Sequence, residues 1–128
     1  MTVPEAVRDD ESAAFFEGAA RGELMIKRCD ACGRHLRPVA IVCTACHGPD
    51  LSWVAASGNG TLVSWTVVHG GGGGAASVAG IVELDEGPWF HARLVDVDTA
   101  ALSVGAPLAV AFVDAGNERV PVFTARPS

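Results

Sequence analysis

Hydrophobic and polar residues alternate with a period of two along the second half of the chain. From 61 to 69 the sequence reads Thr-Leu-Val-Ser-Trp-Thr-Val-Val-His, which sets Val63, Trp65 and Val67 on one face of an extended strand. Residues 79–84 form a second strand. The turn Asp85-Glu86-Gly87-Pro88 leads into a third over 89–95. Residues 102–107 read as a connector, 108–113 as a strand apolar on both faces, and 120–124 as the closing strand. Five short strands rich in β-branched residues and parted by turns predict a small antiparallel barrel. Ser57-Gly58-Asn59-Gly60 is the turn that opens it.

Upstream the pattern changes. Residues 1–9 read as a loose arm, and residues 10–22 as a short helix. Asp10 and Glu11 stand at its positive end, and Gly22 stands at its stop. Phe15 and Phe16 are adjacent, so they point about 100° apart on a helix. One reading lays both rings under the helix on a broad apolar face; a second has the helix dock a partner. Residues 24–28 are a strand candidate, 34–42 a return strand interrupted by Pro38, and 51–54 a third strand. This divides the chain into an N-terminal arm and helix (1–22), a ribbon module (23–56) and a barrel domain (57–128).

The four cysteines all lie in the ribbon module, as Cys29-Asp30-Ala31-Cys32 and Cys43-Thr44-Ala45-Cys46. A C-x-x-C turn directs two thiolates at one cation, and two such turns complete a tetrahedral four-sulfur site suited to Zn²⁺. Gly33 follows the first pair where the turn favours positive φ. His35 and His47 are alternative ligands, but four thiols already satisfy the ion. A site saturated by sulfur has no open position, so the expected role is structural: a clamp fixing the helix at 10–21 against the barrel at 61–124.

Composition adds a surface argument. Apolar residues make up 49% of 128 and the mean hydropathy is +0.30, so a chain this small is expected to leave apolar area for a partner to cover. No apolar run approaches a membrane span, and the acidic N-terminus lacks the features of a signal peptide, so a cytoplasmic location is expected. The net charge of −6 is uneven. Five of the nine bases (Arg21, Lys27, Arg28, Arg34, Arg37) lie in the short ribbon region, whereas from Val54 onward seven acids face three bases. Single-stranded nucleic acid is the alternative ligand for such a barrel, with Trp65, Trp89 and Phe90 as stacking candidates. The acidic balance argues against it.

Ser64, His69, Asp85 and His91 are the candidate acid–base or nucleophilic side chains, and their spacing makes no triad. Five glycines at 70–74 lack the Lys-Ser/Thr of a phosphate loop and read as a flexible loop. His69, at a strand end beside that loop, is the histidine to watch.

Taken in order, Phe15-Phe16-Glu17-Gly18, Gly22-Glu23-Leu24, Arg28 to Gly33, Cys43 to Cys46, Leu51-Ser52-Trp53, Ser57 to Leu62, Ser64 to His69, Val82 to Gly87 and Val122-Phe123 resemble one family. It comprises acyl-CoA-associated proteins with a rubredoxin-like zinc ribbon followed by an OB-fold. The resemblance implies a mainly β chain: a short helix, the ribbon, then a five-stranded OB barrel. It further implies a non-catalytic partner subunit of a thiolase-fold enzyme, a related aldolase or a MaoC-type enoyl-CoA hydratase, in lipid, sterol or polyketide metabolism. Acyl-CoA would be a shared ligand, and Phe15, Phe16, Trp65 and His69 are the expected partner or ligand contacts. The segment Leu36-Arg37-Pro38-Val39-Ala40 departs from the family in lacking its aromatic-Pro-Arg run.

Overall fold

The computed structural model describes residues 12–68 and 77–126. His69, the glycines at 70–74 and the acids at 10–11 lie outside the described residues. One helix and eight strands follow in order: α1 (Ala13–Ala20), β1 (Met25–Cys29), β2 (His35–Leu36), β3 (Leu51–Ala55), β4 (Asn59–Val68), β5 (Ser77–Leu84), β6 (Trp89–Leu94), β7 (Pro107–Ala115) and β8 (Glu118–Ala125).

Helix α1 stops where local chemistry stops it. Gly22 adopts φ +81°. The Gly22 amide donates to the Ala19 carbonyl at 3.0 Å, and the Glu23 amide to Gly18 at 2.8 Å. This reversed pair of bonds is a Schellman ending, which needs a left-handed residue at the glycine. The chain then turns directly into β1. A side chain at Gly18 would collide with Met25, so this glycine lets the helix lie close on β1.

Strands β2, β1 and β3 form an antiparallel three-stranded sheet with β1 in the middle. Strands β4-β5-β6-β8-β7 close a barrel, the architecture of an OB-fold. Two expectations change here. The barrel is not wholly antiparallel, because β6 meets β8 in parallel at Leu94 and Phe123. The Val95 amide extends that contact to the Phe123 carbonyl at 2.9 Å. Nor does one alternation run the length of β4: Val63, Trp65 and Val67 are half-buried between exposed Ser64, Thr66 and Val68, as the pattern predicts, but the fully buried positions before them have the opposite phase. The β4–β5 register shifts between Leu62 and Ser64. Buried positions fall on Gly60 and Leu62 before the bulge, and the half-buried ones on Trp65 and Val67 after it. An extra residue reverses the side-chain phase, and it gives a long strand the bend that closure needs.

The main core is continuous across both sheets. Leu24 and Ile26 from the ribbon side are fully buried with Leu62, Leu84, Leu94 and Phe123 of the barrel region. Phe15 packs against this cluster from the helix. Cys29, Leu36 and Cys43 form a second, separate cluster, joined by Ala40 and Leu51. The cysteine site is therefore not the clamp between helix and barrel. Aromatic and aliphatic packing through Phe15, Leu24 and Ile26 makes that joint, and the cysteines organise the opposite end of the ribbon.

Candidate metal centre and the adjoining groove

The two cysteine turns are built alike. In the first, the Cys29 amide donates to Arg34 at 2.8 Å and the Gly33 amide to the Cys29 carbonyl at 2.9 Å. In the second, the Cys43 amide donates to Gly48 and the His47 amide to the Cys43 carbonyl, both at 2.9 Å. Gly33 and His47 thus hold equivalent positions, and both have positive φ, +83° and +62°. Histidine is among the residues that tolerate this region better than most. Gly48 serves a different need: a side chain there would press on Cys46 Sγ at 3.3 Å and Cys29 Sγ at 3.7 Å.

These turns bring all four sulfurs within 4.8 Å of one another. Across the turns, Cys29 Sγ lies 3.6 Å from Cys46 Sγ, and Cys32 Sγ lies 3.5 Å from Cys43 Sγ. All four cysteines are free thiols. Zinc–sulfur bonds of about 2.3 Å in a tetrahedron set sulfurs about 3.8 Å apart, so the spacing fits such an ion. Cys29 and Cys43 are buried, Cys32 and Cys46 exposed. Neither His35 nor His47 belongs to this cluster of donors.

Electrostatics favour a charged site. The Cys46 amide, joined by that of Ala45 and working against desolvation, draws the Cys43 thiol down to about 6. Those amides lie 3.5 and 3.4 Å from Cys43 Sγ. The Cys32 amide, opposed by burial, lowers Cys29 in the same way. At Cys46 the Gly48 amide pulls downward, but the sulfurs of Cys29 and Cys32 outweigh it and push the thiol up to about 12. Several thiolates at this spacing repel, and a divalent cation would relieve that repulsion.

Beside the ribbon lies a groove of about 900 Å³. Its lining includes Phe15 and Phe16 from α1, Trp53 from β3, Phe90 from β6, and Val39 and Ile41 from the loop between the cysteine pairs. Lys27, Arg37 and His91 supply its basic groups. Lys27 Nζ donates to the Ala40 carbonyl at 2.7 Å and sits 4.9 Å from the Trp53 ring centre, which pins the loop to the sheet. The periodicity of the sequence could not reveal this groove, because its walls come from five separate stretches of chain. The sequence reads 34–42 as one return strand, but β2 ends at Leu36; beyond Pro38 the chain leaves the sheet, and Val39, Ile41 and Val42 stand exposed in a loop.

Phe15 and Phe16 both line the groove while both pack on the body of the protein; Phe16 is buried and Phe15 half-buried. Trp65 lies elsewhere, half-buried against the main core from β4. Ser64 and His91 share a cross-strand row but flank Ile81, which separates them by two strand spacings, about 10 Å. Asp85 sits at the far end of the barrel, its amide bonded to the Asn59 carbonyl. Among the nucleic-acid candidates, Phe90 packs between Phe15 and Phe123. Trp89 is exposed, and its indole N–H donates to the carboxylate of Glu83 at 3.1 Å. An acid beside the one open ring is a poor start for a phosphate-backbone groove.

The described residues therefore define a ribbon-plus-barrel protein whose four thiols are set for one cation. Residues 16–52 match the family model of the ChsH2 rubredoxin-like zinc ribbon domain, and residues 53–113 that of the ChsH2 C-terminal OB-fold domain. The two matches meet end to end, and the chain belongs to this ChsH2 family. A probable enoyl-CoA hydratase alpha subunit of Thermomonospora curvata is 31% identical over 124 residues, which is 94% of this chain and 39% of that protein. The 3-oxo-4,17-pregnadiene-20-carboxyl-CoA hydratase alpha subunit of Mycobacterium tuberculosis is 33% identical over 118 residues, 89% of this chain and 37% of that one. The chain thus spans under two fifths of the length of these curated relatives. Among solved structures, a chain of the Ltp2-ChsH2(DUF35) aldolase superposes with a TM-score of 0.80 at 28% identity, covering 94% of this chain and 98% of that one. A DUF35-family protein from Sulfolobus solfataricus, at 14% identity and a TM-score of 0.66 over 91% of this chain and 86% of that one, shares the fold alone. No helix among the described residues is long and apolar enough to cross a membrane.

Proposed function

We propose that this chain is a non-catalytic, zinc-stabilised subunit of an acyl-CoA enzyme complex. The observation that carries the reading is the end-to-end superposition on a chain of the Ltp2-ChsH2 aldolase, 98% of which is covered. The hydratase alpha subunits share the same segment within longer chains. The partner would be an aldolase or other thiolase-fold enzyme, or a hydratase subunit, acting on an acyl-CoA in lipid or steroid metabolism.

Cys29, Cys32, Cys43 and Cys46 would hold the zinc, which when bound supplies charge neutralisation and cross-linking and leaves no position for substrate. The chain's own residues then do the positioning. Ala40 and Leu51 pack on the cysteine cluster, and Lys27 holds the Ala40 carbonyl, so the loop from 37 to 42 is anchored along one side of the groove. Phe15 and Phe16 form its apolar floor, with Lys27 and Arg37 placed to face the phosphates of a shared acyl-CoA. The separation of Ser64, His91 and Asp85 supports a role without turnover. His69 and Trp65 remain proposed contacts of that complex.

Co-expression with a candidate aldolase or hydratase subunit tests the reading. The expected result is one stable complex whose acyl-CoA turnover depends on both chains. Turnover by this chain alone, or a complex equally active without it, overturns the proposal.

A further inference from the structure

Three large aliphatic side chains stand in solvent within four residues of one another: Val39 is 74% exposed, Ile41 77% and Val42 43%. Such a cluster on a small domain marks a contact surface. The loop that carries it is held firmly. Ala40, between Val39 and Ile41, turns inward onto the cluster of Cys29, Leu36 and Cys43, and its carbonyl accepts the Lys27 bond. The cysteine centre thus presents two outward aliphatics by fastening the residue between them. Arg37, at the start of this loop, and Arg34, in the first cysteine turn just before β2, are both exposed.

We infer that the 38–42 loop is the docking knob for the partner enzyme subunit, and that it enters an apolar recess rimmed by carboxylates. The inference rests on the proposed subunit role and adds where and how the partner is held. Charge selects this occupant over a second copy of the chain. A two-fold contact through this loop would bring Arg34 and Arg37 against their own copies, and like charges across an interface oppose association. A partner with an acidic rim answers those charges and buries the aliphatics, the arrangement of an apolar centre within a polar rim.

The test uses the complex with the co-expressed aldolase or hydratase subunit. Ile41→Asp, and separately Val39→Asp, are expected to raise Kd by about 30-fold or more with zinc content unchanged, the scale of an interface hot spot. Arg37→Glu, which leaves the apolar surface intact, is expected to slow association and to weaken the salt dependence of binding. Val104→Asp, at an equally open site on the far loop, is expected to change neither. Full binding by both loop variants overturns the inference while leaving the subunit role standing; absence of any complex with the unaltered chain overturns the role itself. Loss of a homodimer in Ile41→Asp on light scattering, or loss of sedimentation with phosphatidylserine vesicles, would assign the loop to self-association or to a membrane surface and likewise overturn it.

Discussion

The ring of Phe15 on α1 lies over the ring of Phe90 on β6, with centroids 6.5 Å apart and planes inclined by 20°. Phe90 in turn meets the core ring of Phe123 at 6.0 Å, so one aromatic path runs from helix to barrel centre. Phe15→Ala is expected to cost about 2 kcal/mol, below the value for a fully buried ring because Phe15 is half-buried. A double-mutant cycle with Phe90→Ala, read by urea unfolding, should give a coupling of about 1 kcal/mol. Strict additivity would mean that the two rings only touch.

Removal of the metal should loosen one end of the molecule. The cysteine cluster and the main core share no buried residue, so their stabilities are largely separate. Cys29→Ser or Cys43→Ser should abolish zinc retention, and hydrogen exchange should quicken across 29–51. Amides around Leu62, Val82 and Phe123 should keep their protection. Collapse of barrel protection together with the ribbon would show that the metal supports the whole chain.

Metal loading should release fewer than four protons at pH 7 if the metal-free ribbon is folded. Cys43, drawn down to about 6, is already a thiolate there and has little to release, while Cys46, pushed up to about 12, gives up a full proton. The sign follows from linkage: a lowered thiol stabilises the folded ribbon above its ordinary range, and that contribution is lost as pH falls through about 6. Proton release should therefore rise toward four as the pH is lowered past that point. Calorimetry in buffers of different ionisation enthalpy measures the count. A value close to four at pH 7 would indicate thiols with their unfolded pKa of about 8.5, hence a ribbon that folds only on binding.

Two backbone sites should respond in opposite directions. A Cβ at Gly60 would stand 2.5 Å from the Glu83 carbonyl and 2.7 Å from Val82 Cγ1, where β4 meets β5 at the barrel seam. Gly60→Ala is expected to destabilise by about 2 kcal/mol, since a backbone group must give way. His47 occupies the left-handed position that glycine fills in the first cysteine turn. His47→Gly should leave zinc binding intact and stabilise the metal-loaded ribbon by up to about 1 kcal/mol, visible in melting under excess zinc. A fall in zinc affinity would instead give the imidazole a part in the site.

Local sequence carried much of this protein. Two C-x-x-C pairs identify a four-sulfur set because ligand spacing within a turn is a local property. Alternation along 61–68 reports a strand because side-chain direction in an extended chain has a period of two, and the short turn-bounded apolar stretches at 79–84 and 108–113 report strands by their length and β-branched content. Gly22 ends the helix for an equally local reason. Other features depended on residues far apart in the chain. The bulge at Val63 reverses the buried face of β4 to satisfy closure of the barrel. Leu94 meets Phe123 in parallel across 29 positions. The groove exists only because α1, the 37–42 loop, β1, β3 and β6 converge. The partition into two clusters, with the thiols apart from the core, follows from packing rather than from pattern: Leu24 and Ile26 turn into the barrel interior while Cys29, on the same strand, ends beyond its reach.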